Sequence, residues 1–191
     1  MKATTPDPTV LLVPGLRDHV EEHWQTWLLG QLPKARMVPP MGRTDLDCVA
    51  RVEAIEREAQ AIEGPIVVVA HSGGVVMVAH WLQHTQRAVA SALLVTPPDF
   101  EQPLPAGYPT QDELQAGNWL PLPRAPLPCP AIVAASRDDP LAHYERVAQM
   151  AWDWRATLLD LGNVGHVNPA SGFGPWPDAR RWVAAAMNLA R

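Results

Sequence analysis

The chain reads as an α/β fold, one domain built on a mostly parallel sheet of about six strands with helices on both faces, and three observations carry that reading. Six short apolar or β-branched runs alternate with helical patterns, which is how parallel strands joined by right-handed crossovers look in sequence. The run Ile66-Val67-Val68-Val69-Ala70 is apolar without alternation, as a central strand buried on both faces has to be. The 191 residues, 47% of them hydrophobic, are enough for one substantial core and require no second domain.

Taken in order, residues 1 to 8 are polar and broken by proline, an expected loose end, and Thr9 to Val13 is the first strand, closed by Pro14-Gly15-Leu16. After a polar loop from Arg17 to Glu22, Trp24, Trp27, Leu28 and Gln31 fall at helical spacing within His23 to Leu32. Ala35 to Val38 is a second strand stopped by Pro39-Pro40. Thr44 or Asp45 is placed to cap a helix whose apolar stripe is Leu46, Val49, Val52, Ile55, Ala59 and Ile62, with Arg51, Glu53, Glu56, Arg57 and Glu58 on its other face. The third strand, Ile66 to Ala70, leads into a helix over 73–84, and Ser91 to Thr96 is a fourth strand ended by Pro97-Pro98. Between Pro97 and Pro130 ten prolines exclude any long helix or strand. A segment of that length in a compact domain is a functional lid or a linker, and Trp119, Leu120 and Leu122 give it apolar surface to pack, so an ordered flap is expected. Strands resume at Ala131 to Ala135, a helix follows with Tyr144, Val147 and Met150, then a last strand near Thr157 to Leu161 and a helix from Asp178 to the end.

Composition narrows the function. A net charge of -5 argues against nucleic acid or an anionic membrane as partner, and no apolar run approaches the roughly 20 residues of a membrane span. Cys48 and Cys129 have no CxxC spacing and nothing ahead of Thr9 resembles a secretory leader, so a reducing, cytoplasmic setting is expected. The histidines lack HExxH spacing, neither cysteine has a paired ligand, and GxGxxG is missing, so neither metal nor cofactor is expected. The partner in view is a small molecule, and nothing here sets an oligomeric state.

The chemistry centres on Ala70-His71-Ser72-Gly73-Gly74, where a buried strand turns into a helix. A serine at such a turn occupies a strained backbone position and needs small residues two places either side, here Ala70 and Gly74. This is a nucleophile elbow G-x-S-x-G with alanine at its first position. It presents the hydroxyl at the carboxyl end of the sheet and aims the Gly73 amide, at the positive start of the helix, to where an oxyanion would form. Ligands of open parallel sheets bind at that edge. A serine hydroxyl needs a base, usually histidine, oriented by a carboxylate, and on a strand-helix scaffold the order is Ser, acid, His. That order is available as Ser72, then Asp138 or Asp139 after the fifth strand, then His166 after the sixth. Of seven histidines, His80 and His84 lie on the helix after the elbow, His143 on a later helix, and His71 is pinned beside the serine. Only His166 occupies the post-strand loop where a base should be, flanked by Gly162 and Gly165. Pro140 fixes the backbone beside Asp139 and favours it over Asp138, whose alternative role is a cap. The loop Pro14-Gly15-Leu16 offers a second oxyanion amide, that of Leu16. Trp24, Trp119 and Trp176 are expected to form an aromatic rim that contacts substrate, and the short flap suits small acyl groups.

With these residues together, the chain resembles the small serine hydrolases of the α/β-hydrolase superfamily related to retinoblastoma-binding protein nine and the bacterial YdeN-like proteins. The likeness spans nearly the whole chain and is strongest in Val68-Val69-Ala70-His71-Ser72, Leu93-Leu94-Val95-Thr96-Pro97-Pro98-Asp99, Ala135-Ser136-Arg137-Asp138-Asp139-Pro140 and Leu161-Gly162-Asn163-Val164-Gly165-His166-Val167-Asn168. Ser171-Gly172-Phe173-Gly174-Pro175-Trp176-Pro177 and His23-Trp24-Gln25 match too. The resemblance implies an α/β-hydrolase fold without a large cap, Ser72 as nucleophile, Asp139 as acid and His166 as base. It also implies an esterase-like or amidase-like activity, with the Leu16 loop and the His-Trp helix bordering the site. Departures are Gly73-Gly74-Val75 where relatives often carry Leu-Gly-Cys, which removes a side chain beside the oxyanion amide and is expected to widen the pocket, and a Met41 to Asp47 stretch without tryptophan. Leu46-Asp47-Cys48-Val49-Ala50 lacks the glutamate of an LxCxE motif, so a retinoblastoma-type partner is not implied. Two functions stand: a serine hydrolase cleaving a small ester, thioester or amide through an acyl-enzyme on Ser72, or a non-catalytic binding module on a retained hydrolase fold.

Overall fold

A computed structural model describes residues 7–16, 20–42 and 44–189. Six strands, β1 (Thr9–Val13), β2 (Ala35–Met37), β3 (Ile66–His71), β4 (Ser91–Val95), β5 (Ala131–Ala135) and β6 (Thr157–Asp160), form one parallel sheet in the order β2-β1-β3-β4-β5-β6. The helices are α1 (Trp24–Gln31), α2 (Cys48–Gln60), α3 (Gly73–Leu82), α4 (Gln111–Ala116), α5 (Tyr144–Asp153) and α6 (Asp178–Leu189), with a 3-10 turn at Pro169–Ser171. Every residue of β3, β4 and β5 is buried, which explains why those segments read as continuous apolar runs. The edge strands β2 and β6 are short and partly exposed.

The period of two divides the core in two layers. Leu11, Val13, Val68, Ala70, Leu94 and Val133 face α2, α3 and α5, while Val10, Leu12, Val67, Val69, Leu93 and Ala134 face α1 and α6. Because β3 is central, with β1 on one side and β4 on the other, whatever follows His71 emerges at the middle of the carboxyl edge.

Two local expectations change, and a third is refined. Helix α2 is capped by Asp47, whose carboxylate accepts from the amides of Val49 and Ala50, and not by Thr44 or Asp45; Asp45 instead accepts from the Asp47 amide. Arg51, read on the polar face, is 3% exposed: its guanidinium donates to the carbonyls of Gly42 and Asp45 and ties down the loop ahead of the helix. The 97–130 segment holds a helix that the proline count obscured. Thr110 and Glu113 form a reciprocal capping box at the start of α4, a signature legible as T-x-x-E. The segment packs into the core through Phe100, Leu114, Trp119 and Leu122, and the Trp119 indole donates to the Leu46 carbonyl at 2.7 Å.

A tight constraint next to the elbow lies where α3 starts against β1. A Cβ on Gly74 would sit 2.5 Å from the Pro14 carbonyl oxygen and 2.6 Å from that of Val13, both backbone atoms that cannot swing away. Gly74→Ala is therefore expected to force the helix off the sheet and cost about 1–3 kcal/mol or more. Urea denaturation checks this: the midpoint should fall with the slope unchanged, and an unaltered midpoint would refute the close approach.

Candidate active site

Strand β3 ends at His71, and Ser72 then takes φ 55° and ψ -132°, a conformation that side chains rarely adopt. It is held there from both sides: the Ser72 amide donates to the Val95 carbonyl at 3.0 Å, and the Ser72 carbonyl accepts from Val75 at 2.9 Å as α3 begins. The small neighbours are accounted for by contact. Gly74 lies against the end of β1, and a Cβ on Gly15 would be 3.0 Å from the Ser72 Cβ.

Two further strand ends bring the partners. Ser72 Oγ is 2.7 Å from His166 Nε2, and His166 Nδ1 is 2.8 and 3.0 Å from the two carboxylate oxygens of Asp139. With Nδ1–H donating to the carboxylate, Nε2 is the acceptor for the serine hydroxyl. The side chains of His166 and Asp139 are 4% and 1% exposed, so this pair is shielded from solvent, while Ser72 opens on the cleft. Asp139 Oδ1 also accepts from the Leu141 amide at 2.9 Å, which fixes the carboxylate's orientation.

Asp138 has a different task from the cap that its position suggested. Its Oδ1 accepts from the Gly165 amide at 2.7 Å and from the Ser136 hydroxyl at 2.9 Å, clamping the loop that carries His166. On the other flank, the His166 amide donates to Ser171 Oγ at 3.0 Å, and Asn168 in turn accepts from the Ser171 hydroxyl. Gly165, at φ 57°, lies so close to Ser171 that a Cβ would fall 2.7 Å from the serine's own.

The expected oxyanion pair is adjacent. The Gly73 amide is in the first turn of α3 and has no intrahelical acceptor, and a Cβ on Gly73 would be 3.5 Å from the Leu16 nitrogen and 2.9 Å from Leu16 Cγ. Gly73 therefore does not leave open space: the Leu16 side chain occupies it, contrary to the expected widening.

A cleft of about 500 Å³ opens over Ser72 and His166. Leu16, Val20 and His23 form one wall, Leu46 another, Pro98, Phe100, Tyr108 and Pro109 of the flap a third, and Leu141 with Asn168, Pro169 and Ala170 the rest. Among the described residues, no carboxylate, lysine or arginine lines it. The tryptophan rim is not there. Trp24 and Trp119 are 0% exposed and Trp176 is 6% exposed, and none of the three lines the cleft. Trp24 and Trp176 meet edge to face at 5.3 Å inside the α1/α6 layer, and Trp119 meets Phe100 the same way at 5.5 Å under the flap. An indole brings a large apolar area, and in these three residues that area goes into the core. Tyr108 and Phe100 are the aromatic residues that the cleft uses, and only their place in the flap, in Pro98-Asp99-Phe100 and Gly107-Tyr108-Pro109, marked them in sequence.

Other nucleophiles are quiescent. Burial pushes the thiol of Cys48 up to about 12 and that of Cys129 up to about 11, so neither supplies a thiolate near neutrality. Among the described residues no cluster of three His, Cys, Asp or Glu side chains could hold a metal ion, and no helix is long and apolar enough to cross a membrane.

The Asp138 clamp has a pH signature. The hydrogen bond from Gly165, then that from Ser136, lowers the Asp138 pKa from its ordinary 3.8. A depressed carboxylate contributes stability above its unfolded value and loses it as pH falls through the folded one. Asp138 is exposed, so the contribution is screened and small. The urea midpoint of Asp138→Asn should trail wild type at pH 7 and close on it as the pH falls below the ordinary carboxylate value of 3.8; a gap constant with pH would mean that the charge is not what clamps the loop.

Comparison with known proteins agrees with this architecture. A family model described as serine hydrolase matches residues 10–185. A structure described as a YdeN-like hydrolase from Pectobacterium atrosepticum superposes with a TM-score of 0.82 at 29% identity, over 96% of this chain and 92% of that one. The ydeN gene product of B. subtilis gives 0.75 at 19% identity over 95% and 99%, and an esterase domain from a Rhodothermus marinus protein gives 0.66 at 16% over 100% and 90%; both likenesses are of fold. None of the curated proteins matches in sequence. With the family model covering almost all of the chain, on the α/β-hydrolase fold just described, the protein belongs to the serine hydrolase family.

Proposed function

We propose that the protein hydrolyses a small, uncharged ester, thioester or amide through an acyl-enzyme on Ser72. The observation that carries the reading is the hydrogen-bonded chain from Ser72 Oγ through His166 to the buried Asp139 carboxylate, with 2.7 and 2.8 Å contacts. In the first half-reaction Ser72 Oγ adds to the substrate carbonyl as its proton passes to His166 Nε2. The negative charge gathers on the carbonyl oxygen, towards the amides of Leu16 and Gly73. Collapse expels the alcohol, thiol or amine, which takes the proton from His166. Water then repeats the sequence on the acyl-enzyme and restores Ser72. Asp139 stays ionised throughout, holding the ring's tautomer and offsetting the imidazolium charge. No cofactor enters these steps. A cleft wall free of fixed charge among the described residues supports an uncharged substrate, and the YdeN-like and esterase-domain neighbours support hydrolysis in general.

A fluorophosphonate probe and p-nitrophenyl acetate test the nucleophile together. Wild type should be labelled and active; Ser72→Ala should lose labelling and about 10⁴-fold or more of turnover with its melting temperature little changed, and Asp139→Asn should lose about 10⁴-fold by presenting the wrong tautomer. Turnover in Ser72→Ala at the wild-type rate would end the reading.

Chain length tests the substrate. A cleft of about 500 Å³ must hold acyl and leaving groups together, and Leu16, Leu46 and Leu141 narrow it. From acetyl to butyryl, kcat/KM should rise by up to about 0.8 kcal/mol per methylene in transition-state terms, then fall by octanoyl, when the chain meets the wall. A continued rise to twelve carbons would show an open groove.

A further inference from the structure

The described non-glycine residues with positive φ include Ser72 at 55°, Thr96 at 46° and Val167 at 48°, and these three stand where the ends of β3 and β4 meet the loop after β6. For β-branched Thr96 and Val167 that conformation is a marked outlier, and strain of this kind survives only where the surroundings over-determine it. The Val167 nitrogen is bonded directly to the carbonyl carbon of His166, and that carbonyl is the point of convergence. His71 Nε2 lies 2.9 Å from its oxygen, and the Thr96 hydroxyl donates to it at 3.4 Å. Since a carbonyl only accepts, His71 bears its hydrogen on Nε2.

Nothing in the hydrolytic steps uses His71, yet it is buried at the end of the strand that delivers the nucleophile. Its ring centroid is 5.0 Å from that of His166 and 4.7 Å from that of His23, and Trp24 closes it edge on at 5.8 Å. We propose that His71 is a positioning residue for the base: its Nε2–H fixes the His166 carbonyl, so the residue next to the nucleophile also sets the reach of His166 to Ser72. The inference rests on His166 serving as the base of Ser72. With Ser171 holding the His166 amide and His71 its carbonyl, the base is gripped at both backbone atoms, and its ring needs no search to find the serine. The role requires a neutral His71, since a second cation beside the imidazolium formed on His166 would oppose catalysis. Burial first, then the neighbouring His166 and His23, hold its pKa well below the ordinary 6.5.

His71→Gln keeps an N–H donor, whereas His71→Met keeps bulk without one. With a short p-nitrophenyl ester, His71→Met should lower kcat by up to about 10²-fold while KM moves far less, and His71→Gln should recover most of the loss. A Met variant with wild-type kcat, or a Gln variant as slow as the Met one, would overturn the assignment. If the Met variant does not fold, imidazole ¹H–¹⁵N correlation on the wild-type protein decides. A neutral Nε2–H tautomer at His71, unchanged across the pH range of activity, is expected; an Nδ1–H tautomer, or a cationic His71 in active enzyme, overturns it. That spectrum needs no substrate, so a wild-type protein that neither hydrolyses esters nor takes up a fluorophosphonate would sink the hydrolase reading separately.

Discussion

The backbone of Ser72 is the constraint on which the rest of this structure depends. A non-glycine residue at φ 55° costs on the order of 1–3 kcal/mol, and it has to be held by neighbours that cannot relax. The Val95 carbonyl holds its amide from the adjacent strand, α3 starts on its carbonyl, and the chain at Val13 to Gly15 presses against it so closely that Gly15 and Gly74 admit no side chain without displacement. Once β1, β3 and β4 lie in that order, the geometry is determined from three sides. The strain is thus held by the middle of the sheet, the part buried most completely and least able to move.

The same edge supplies the chemistry because parallel strands all finish there. Asp139 follows β5 and His166 follows β6, and neither loop would hold its residue unaided. Asp138 clamps Gly165, Ser171 takes the His166 amide and His71 takes its carbonyl, so most of the polar residues near the site serve the histidine's placement and not the substrate. This distribution fits a mechanism in which the base must meet the nucleophile at hydrogen-bond distance before substrate arrives. Burial of the Asp139 and His166 side chains strengthens the electrostatic bond between them, since little water remains to screen it.

The strands and the order Ser72, Asp139, His166 were legible because they follow from local rules: unbroken apolar runs mark buried parallel strands, and a small-x-Ser-x-Gly turn leaves few backbone solutions. What was not legible depends on where the chain returns to itself. Arg51 looked like a solvated residue on a polar face, and the approach of the Gly42 and Asp45 carbonyls, which no sequence pattern announces, gives it a reason to be buried. The three tryptophans looked like a rim because they fall near site loops in sequence, yet each turns inward, where its apolar area is worth more. Asp138 and Asp139 are chemically identical neighbours, and the difference between loop clamp and histidine partner comes from which way successive side chains point as the chain leaves β5.

Leu16 and Gly73 show how one position can be read only through its partner. In sequence, glycine after the nucleophile suggests lost bulk beside the oxyanion amide. In the fold, Leu16 Cγ lies 2.9 Å from where a Gly73 Cβ would stand, so the bulk is present and comes from the loop after β1. Any residue larger than glycine at position 73 would expel that leucine, and a smaller residue at position 16 would open a void beside the amide pair. The two positions are therefore coupled through volume. Because Leu16 also lines the cleft, the side chain that packs the elbow also shapes the cleft wall beside Ser72, which ties packing and cleft shape at this site together.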